Sequence, residues 1–134
     1  MDKSQLPFLS ATELASLIKS REVSPVEATE AYLERIPQID GKLNSYITVT
    51  ADRAMADARQ AEQEIVSGNY RGPMHGIPIG IKDQVYTKGI LTTGGSTILK
   101  DFVPSEDATV VTKLNEAGAV LLGKLNMSEF AMGD

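Results

Sequence analysis

The sequence predicts an α/β protein in which N-terminal helices precede the first strands of a mixed sheet with helices packed on it. Three observations carry this reading. Of eleven glycines only Gly41 lies before residue 68, whereas six fall between Gly72 and Gly95, so the backbone demands change near Ser67. Two capping-box patterns open the first part. The second part contains an alternating apolar segment, a helical pattern and a continuous apolar run, the order of a strand, helix, strand unit. A single portion of 134 residues follows, mainly helical over 1–68 and α/β over 69–134, with 42% hydrophobic residues to build a core.

Ser10 and Glu13 form the first capping box, and Leu14, Leu17 and Ile18 give the stripe of a short amphipathic helix. Ser24, Pro25 and Glu27 start a second helix carrying Ala28, Tyr32 and Ile36, which Pro37 is expected to stop, leaving a helical hairpin. Alternation of Leu43, Ser45, Ile47 and Val49 against Asn44, Tyr46 and Thr48 predicts a strand over 43–49. Thr50 is placed to cap a long helix reaching about Val66, with Ala54, Ala58, Ala61 and Ile65 on one face and Gly68 as its stop.

Farther on, Ile77, Ile79 and Ile81 alternate with Pro78, Gly80 and Lys82, which predicts a strand whose lysine shares a face with small residues. Asp107 is expected to cap a helix bearing Val110, Val111, Leu114 and Ala117, with Gly118 ending it. Ala119 to Leu122 then reads as a buried strand, so the unit predicts a right-handed crossover between parallel strands. Asn126 and Glu129 are spaced like a third capping box, and with Phe130 and Met132 after them the chain is expected to stop while an element begins.

Composition narrows the function classes. The net charge is −5, which gives no footprint for a phosphate backbone or an anionic lipid surface. There are no cysteines and one histidine, so disulfides, thiolate chemistry and sulfur-ligated zinc are excluded and His75 has no partner for a transition metal. The first residues lack an export-signal pattern and no apolar stretch is long enough to span a bilayer. A soluble cytoplasmic protein is expected, with no cofactor, no metal and no nucleic-acid or membrane partner.

Lys82 is the leading candidate for chemistry. It ends its strand, where open α/β sheets place ligand sites, and a Gly/Thr-rich loop follows. An amine withheld from water there favours its neutral form and becomes a base; the competing reading is a lysine whose stem packs while its head reaches water. Asp83 alternates to the other face and reads as a turn or ion-pair residue. Thr92, Thr93 and Ser96 lie near Lys82 in sequence and could form a Ser/Lys or Thr/Lys pair for acyl transfer, although hydroxyls in glycine loops commonly satisfy backbone groups. Gly118 to Lys124 mimics a phosphate-binding GxxxxGK, but Leu125 follows and the intervening run is strand-like, so it is a decoy. His75, between Gly72 and Gly76, reads as a turn residue.

Gly72-Pro73-Met74-His75-Gly76-Ile77-Pro78-Ile79-Gly80-Ile81-Lys82-Asp83 resembles the lysine-bearing strand of the amidase signature family. The resemblance continues in register through Thr87 to Ser96, Asp107 to Val111, Gly118 to Lys124 and Asn126 to Gly133, and it is to the family's N-terminal part, as in its amidotransferase members and small bacterial amidases. It implies an incomplete amidase signature fold. It further implies cleavage or transfer of a carbon–nitrogen amide bond in a small-molecule substrate through a serine nucleophile, a bridging serine preceded by a cis peptide and the lysine at Lys82. Both serines and the oxyanion amides belong to a Gly/Ser-rich segment expected after Gly133, so the chain alone is expected to be inactive; Ser96 belongs to a different loop. By the same resemblance Met132 and Gly133 lie near the acyl pocket, and protein subunits are partners if the chain serves an amidotransferase. Two other functions fit the residues alone: a non-catalytic module pairing through sheet edges such as Ala119 to Leu122, and a Schiff-base enzyme using Lys82.

Overall fold

The computed structural model describes residues 2–133. Helices α1 (Ala11–Ser20) and α2 (Pro25–Leu43) lead to strand β1 (Tyr46–Val49), helix α3 (Ala51–Val66), strand β2 (Pro78–Lys82), helix α4 (Thr109–Glu116) and strand β3 (Val120–Leu125). Short 3-10 turns span Lys3–Phe8, Thr97–Leu99 and Glu129–Ala131. The three strands make one mixed sheet in the order β1-β3-β2, with β3 antiparallel to β1 and parallel to β2. No helix among the described residues is long and apolar enough to cross a membrane.

Local sequence sets the helix starts. At Ser10 the hydroxyl accepts from Glu13 N and the Glu13 carboxylate accepts from Ser10 N at 2.8 Å; Ser24 and Glu27 repeat the arrangement at the start of α2. Each box satisfies donors that a helix start otherwise leaves unpaired. Pro37 does not stop α2 as expected, for the helix runs on to Leu43. The ring sits on the exposed side, where water can serve the carbonyl whose bond it removes. Beyond it Asp40 closes the helix, its carboxylate accepting from Ser45 N at 2.7 Å and Tyr46 N at 3.3 Å.

That closure shortens the strand expected over 43–49, because Leu43 is spent in the helix and Asn44 is left-handed. In β1 it is Tyr46 and Thr48 that turn inward, while Ile47 and Val49 are exposed. The α1–α2 pair is tied through side chains such as Leu14, Ile18, Ala28 and Ala31, which share a cluster with Ile65 and Ile77.

Three expected capping bonds are absent because their side chains find partners across the fold. Thr50 is the N-cap residue of α3, as expected, but its hydroxyl makes no capping bond; it donates to Leu121 O at 2.8 Å and its amide to Leu122 O at 2.9 Å, stapling the start of α3 to β3. Asp107 does not cap α4 and instead accepts from Lys88 N at 2.7 Å. Asn126 and Glu129 form no capping box; Asn126 donates to Asn44 O at 2.9 Å and Glu129 accepts from the Ser96 hydroxyl at 2.6 Å.

The run Ala119 to Leu122 is not an unpaired edge. It leads into the central strand, bonded on both sides and buried on both faces, with Val120 and Leu122 against Ala54 and Ala58 of α3, and Leu121 against Val111 of α4 and Ile81 of β2. The sheet edges among the described residues are β1 and β2.

Gly118 makes the turn from α4 into β3 at φ +79°, and a Cβ there would stand 2.3 Å from His75 Cδ2. Gly118→Ala therefore combines left-handed strain with overpacking and is expected to cost at least about 2 kcal/mol. Urea unfolding checks this, and a loss below about 0.5 kcal/mol, the scale of a neutral surface change, would show that His75 can step aside.

Candidate active site

Lys82 closes β2 opposite Leu125 of β3, and its side chain is exposed. Among the described residues its amine makes no hydrogen bond or ion pair. The expectation of a lysine withheld from water is thus not met at Lys82. Among the described residues β2 is an edge strand, with β3 as its only strand neighbour.

The buried lysine is Lys124, fully enclosed together with Asp83. Its Nζ donates to the Thr92 hydroxyl at 2.7 Å and to Val85 O at 2.9 Å, and lies 3.6 Å from Asp83 Oδ1, close enough for charge attraction but beyond a hydrogen bond. Burial pushes the Lys124 ammonium below the ordinary lysine value, with Asp83 pulling the other way. Asp83 Oδ2 accepts from Thr93 N at 2.8 Å and from the Thr93 hydroxyl. Asp83, expected to be a turn or ion-pair residue, is both: it begins the turn after β2 and pairs with Lys124.

Sequence reasoning passed over Lys124, treating it only as the end of a false phosphate loop. A signal was present: a lysine at the end of a continuous apolar run, in a strand expected to be buried, requires a partner. A threonine–lysine pair does exist, but it joins Thr92 to Lys124, and both are sealed from any substrate. The decoy is confirmed as strand, since residues from Val120 onward pair with β1 and β2 and offer no nest of free amides.

The loop after β2 is stitched to the end of the described chain. Gly94 N donates to Asp83 O at 3.1 Å, and Gly94 O accepts from Phe130 N at 2.8 Å. A Cβ on Gly95 would lie 2.7 Å from Met127 O, so only glycine allows this approach. Ser96 is buried and spends its hydroxyl on Glu129, which leaves it no role as a nucleophile. Phe130 and Ala131 both hold left-handed backbone, φ 50° and 57°, a strained conformation for residues with side chains. Just beyond them Met132 and Gly133 are exposed, Met132 at 81%. The structure therefore brings Asp83, Thr93, Gly94 and Phe130 together beside the Lys82 end of β2.

His75 lies before β2, within the turn where it was expected, but it is buried. Its Nδ1 accepts from Arg71 N at 3.1 Å, which requires that nitrogen to be unprotonated. Nε2 stands 3.1 Å from Glu64 Oε2, too bent for a hydrogen bond. Desolvation lowers the imidazole below its usual 6.5, against the pull of Glu64. Between pH 6.5 and that lowered value the unfolded chain binds a proton that the folded chain refuses, so stability should fall as pH drops through this window and level off below it. Thermal unfolding from about pH 7.5 to about pH 5 checks the sign, and His75→Gln should flatten the slope. Glu64, held below the ordinary carboxylate value chiefly by Arg71, adds a separate loss at lower pH, as its folded form protonates.

The family model described as Amidase matches residues 27–134. The chain belongs to the amidase family. Relatives include a glutamyl-tRNA(Gln) amidotransferase subunit from Moorella thermoacetica, 47% identical over 129 residues, which cover 96% of this chain and 26% of that protein. Putative amidase AmiD of Mycobacterium tuberculosis is 46% identical over 131 residues, 98% of this chain and 28% of AmiD. Among solved structures, native peptide amidase from Stenotrophomonas maltophilia superposes with a TM-score of 0.87 at 35% identity, covering 93% of this chain and 26% of that one. Fatty acid amide hydrolase gives 0.90 at 28% identity, with coverages of 98% and 23%. The amidase-family chain described here thus spans about a quarter of the length of the curated relatives it matches, and its mixed sheet with packed helices is that of amidase enzymes.

Proposed function

We propose that this chain is the N-terminal part of an amidase acting on carbon–nitrogen amide bonds by a serine–serine–lysine mechanism, with Lys82 as the base. One observation carries the reading. Lys82 stands at the carboxyl end of β2 with no partner for its amine among the described residues, while the adjacent carboxylate, Asp83, is already taken inward by Lys124. The amine is thus free for a hydroxyl supplied by another part of the protein. Ser96, Thr92 and Thr93 are buried and engaged, so the nucleophile comes from elsewhere.

In this mechanism the neutral amine takes the proton of a bridging serine, which takes that of the nucleophilic serine. The resulting oxygen adds to the amide carbonyl, and the proton held by the lysine returns to the departing nitrogen. A base of this kind needs an uncharged amine, and desolvation favours that form. The cover for the Lys82 end of the sheet is assigned to the remaining three quarters of the relatives' length. Met132 and Gly133, exposed beyond the strained Phe130–Ala131 pair, are assigned to the acyl side of the substrate pocket, the substrate being a small-molecule amide. Protein subunits are partners if the complete protein serves an amidotransferase, and a cytoplasmic location accompanies this reading.

The test grafts this chain in place of the matching quarter of the Stenotrophomonas maltophilia peptide amidase. Peptide-amide hydrolysis that requires Lys82 is the expected result, and turnover by the isolated chain should be negligible. Robust turnover by the isolated chain that survives Lys82→Ala would overturn the proposal. The alternative, a non-catalytic module, draws on the two open strands and on exposed Ile47 and Val49 of β1. Concentration-dependent self-association of the chain that Val49→Lys abolishes, together with a graft indifferent to Lys82→Ala, would favour that module.

A further inference from the structure

We propose that the buried Asp83–Lys124 pair is the positioning element of the site, holding the Lys82 end of β2 at a fixed spacing from the Met127–Phe130 segment by way of the Thr92–Ser96 loop. The role rests on the reading of Lys82 as the reacting amine.

Asp83 is the hub of the connection. Its carboxylate takes the amide and hydroxyl of Thr93, the Thr93 hydroxyl in turn accepts from Gly95 N at 3.1 Å, and its own carbonyl takes Gly94 N. Gly94 passes the link to Phe130 N, and Ser96 adds a second tie through Glu129. Lys124 reaches the hub from β3 and bonds both Val85, on the turn after Lys82, and Thr92, at the head of the loop. The ties at Asp83 and Val85 thus converge on the turn directly after Lys82.

Stability alone does not account for a charge pair at this position. Taking both ions out of water offsets much of their attraction, and apolar residues of similar volume fill such space at no loss. What apolar residues cannot do is orient a loop through several directed hydrogen bonds. The pair also seals the Asp83 carboxylate in the interior, engaged by Lys124 and Thr93, while the neighbouring Lys82 side chain is exposed.

Two measurements test this. In the chain itself, amide hydrogen exchange is followed at Gly94 and Phe130, with Thr50, bonded to Leu122 O, as the reference for global opening. Asp83→Asn should speed exchange at Gly94 and Phe130 by about tenfold or more while Thr50 stays unchanged, the mark of a local opening. Thr93→Val removes the two bonds of the hydroxyl, to Asp83 and from Gly95 N, and no charge, and it should do the same should Asp83→Asn not fold. Unchanged exchange at Gly94 and Phe130, or an equal rise at all three amides, overturns the positioning role. In the peptide amidase graft, Asp83→Asn should lower kcat by about a hundredfold with KM nearly unchanged, as misplacement of a reacting group does. Equal losses through KM would overturn it. A graft that works equally well with Lys82→Ala removes the catalytic reading and the role resting on it, whereas a Lys82-dependent graft with unaltered exchange overturns the positioning alone.

Discussion

Replacing Lys124 by methionine is expected to destabilise the fold by about 3–5 kcal/mol, the cost of leaving a buried partner ion uncompensated. Methionine matches much of the lysine stem, so the cavity left behind is small and the loss comes from charge and hydrogen bonding. Asp83 would remain fully buried with Thr93 as its donor, and the Thr92 hydroxyl and Val85 carbonyl would lose theirs. Denaturant unfolding reads the change as a lower midpoint. Combining it with Asp83→Asn should recover part of the loss, because the second change neutralises the abandoned charge. A single variant within about 0.5 kcal/mol of the parent, the range of an ordinary surface change, would mean that water reaches the pair.

Lys82→Ala is expected to behave in the opposite way. Its side chain is exposed and has no partner among the described residues, so stability should stay within about 0.5 kcal/mol. Amide hydrolysis by the graft should instead fall by about a hundredfold to ten-thousandfold, the usual worth of a positioned general base. The two lysines lie in register-neighbouring positions at the same end of the sheet, for Ile81 pairs with Lys124 and Lys82 with Leu125. They should nevertheless separate cleanly, one carrying stability and the other activity. A Lys82 variant that kept full turnover in the graft would remove the base from the proposed mechanism.

The helix starts were legible because a capping box is written within four residues, as at Ser10–Glu13 and Ser24–Glu27. The β2–α4–β3 unit was equally legible, since period-2 alternation and an uninterrupted apolar run mark a half-exposed strand and a doubly covered one. Lys82 was singled out as a candidate by its expected place at a strand end, which the structure bears out, and by the family motif around it. The side chains of Thr50, Asp107 and Glu129 were misassigned by the same local logic, because each found a distant partner: Leu121, 71 residues away, Lys88, 19 away, and Ser96, 33 away.

The amino-acid order by itself determined where most elements begin, that β2 and β3 run parallel about a helix, and that the chain belongs to the amidase family. These follow from contacts between near neighbours, from the period of apolar residues and from the motif around Lys82. Only the tertiary structure decided that β3 is the central strand, that Ile47 and Val49 face outward, and that the sealed lysine is Lys124 while Lys82 stays open. Burial and ion pairing depend on which strands become neighbours, and that is settled by the assembly of segments far apart in the chain.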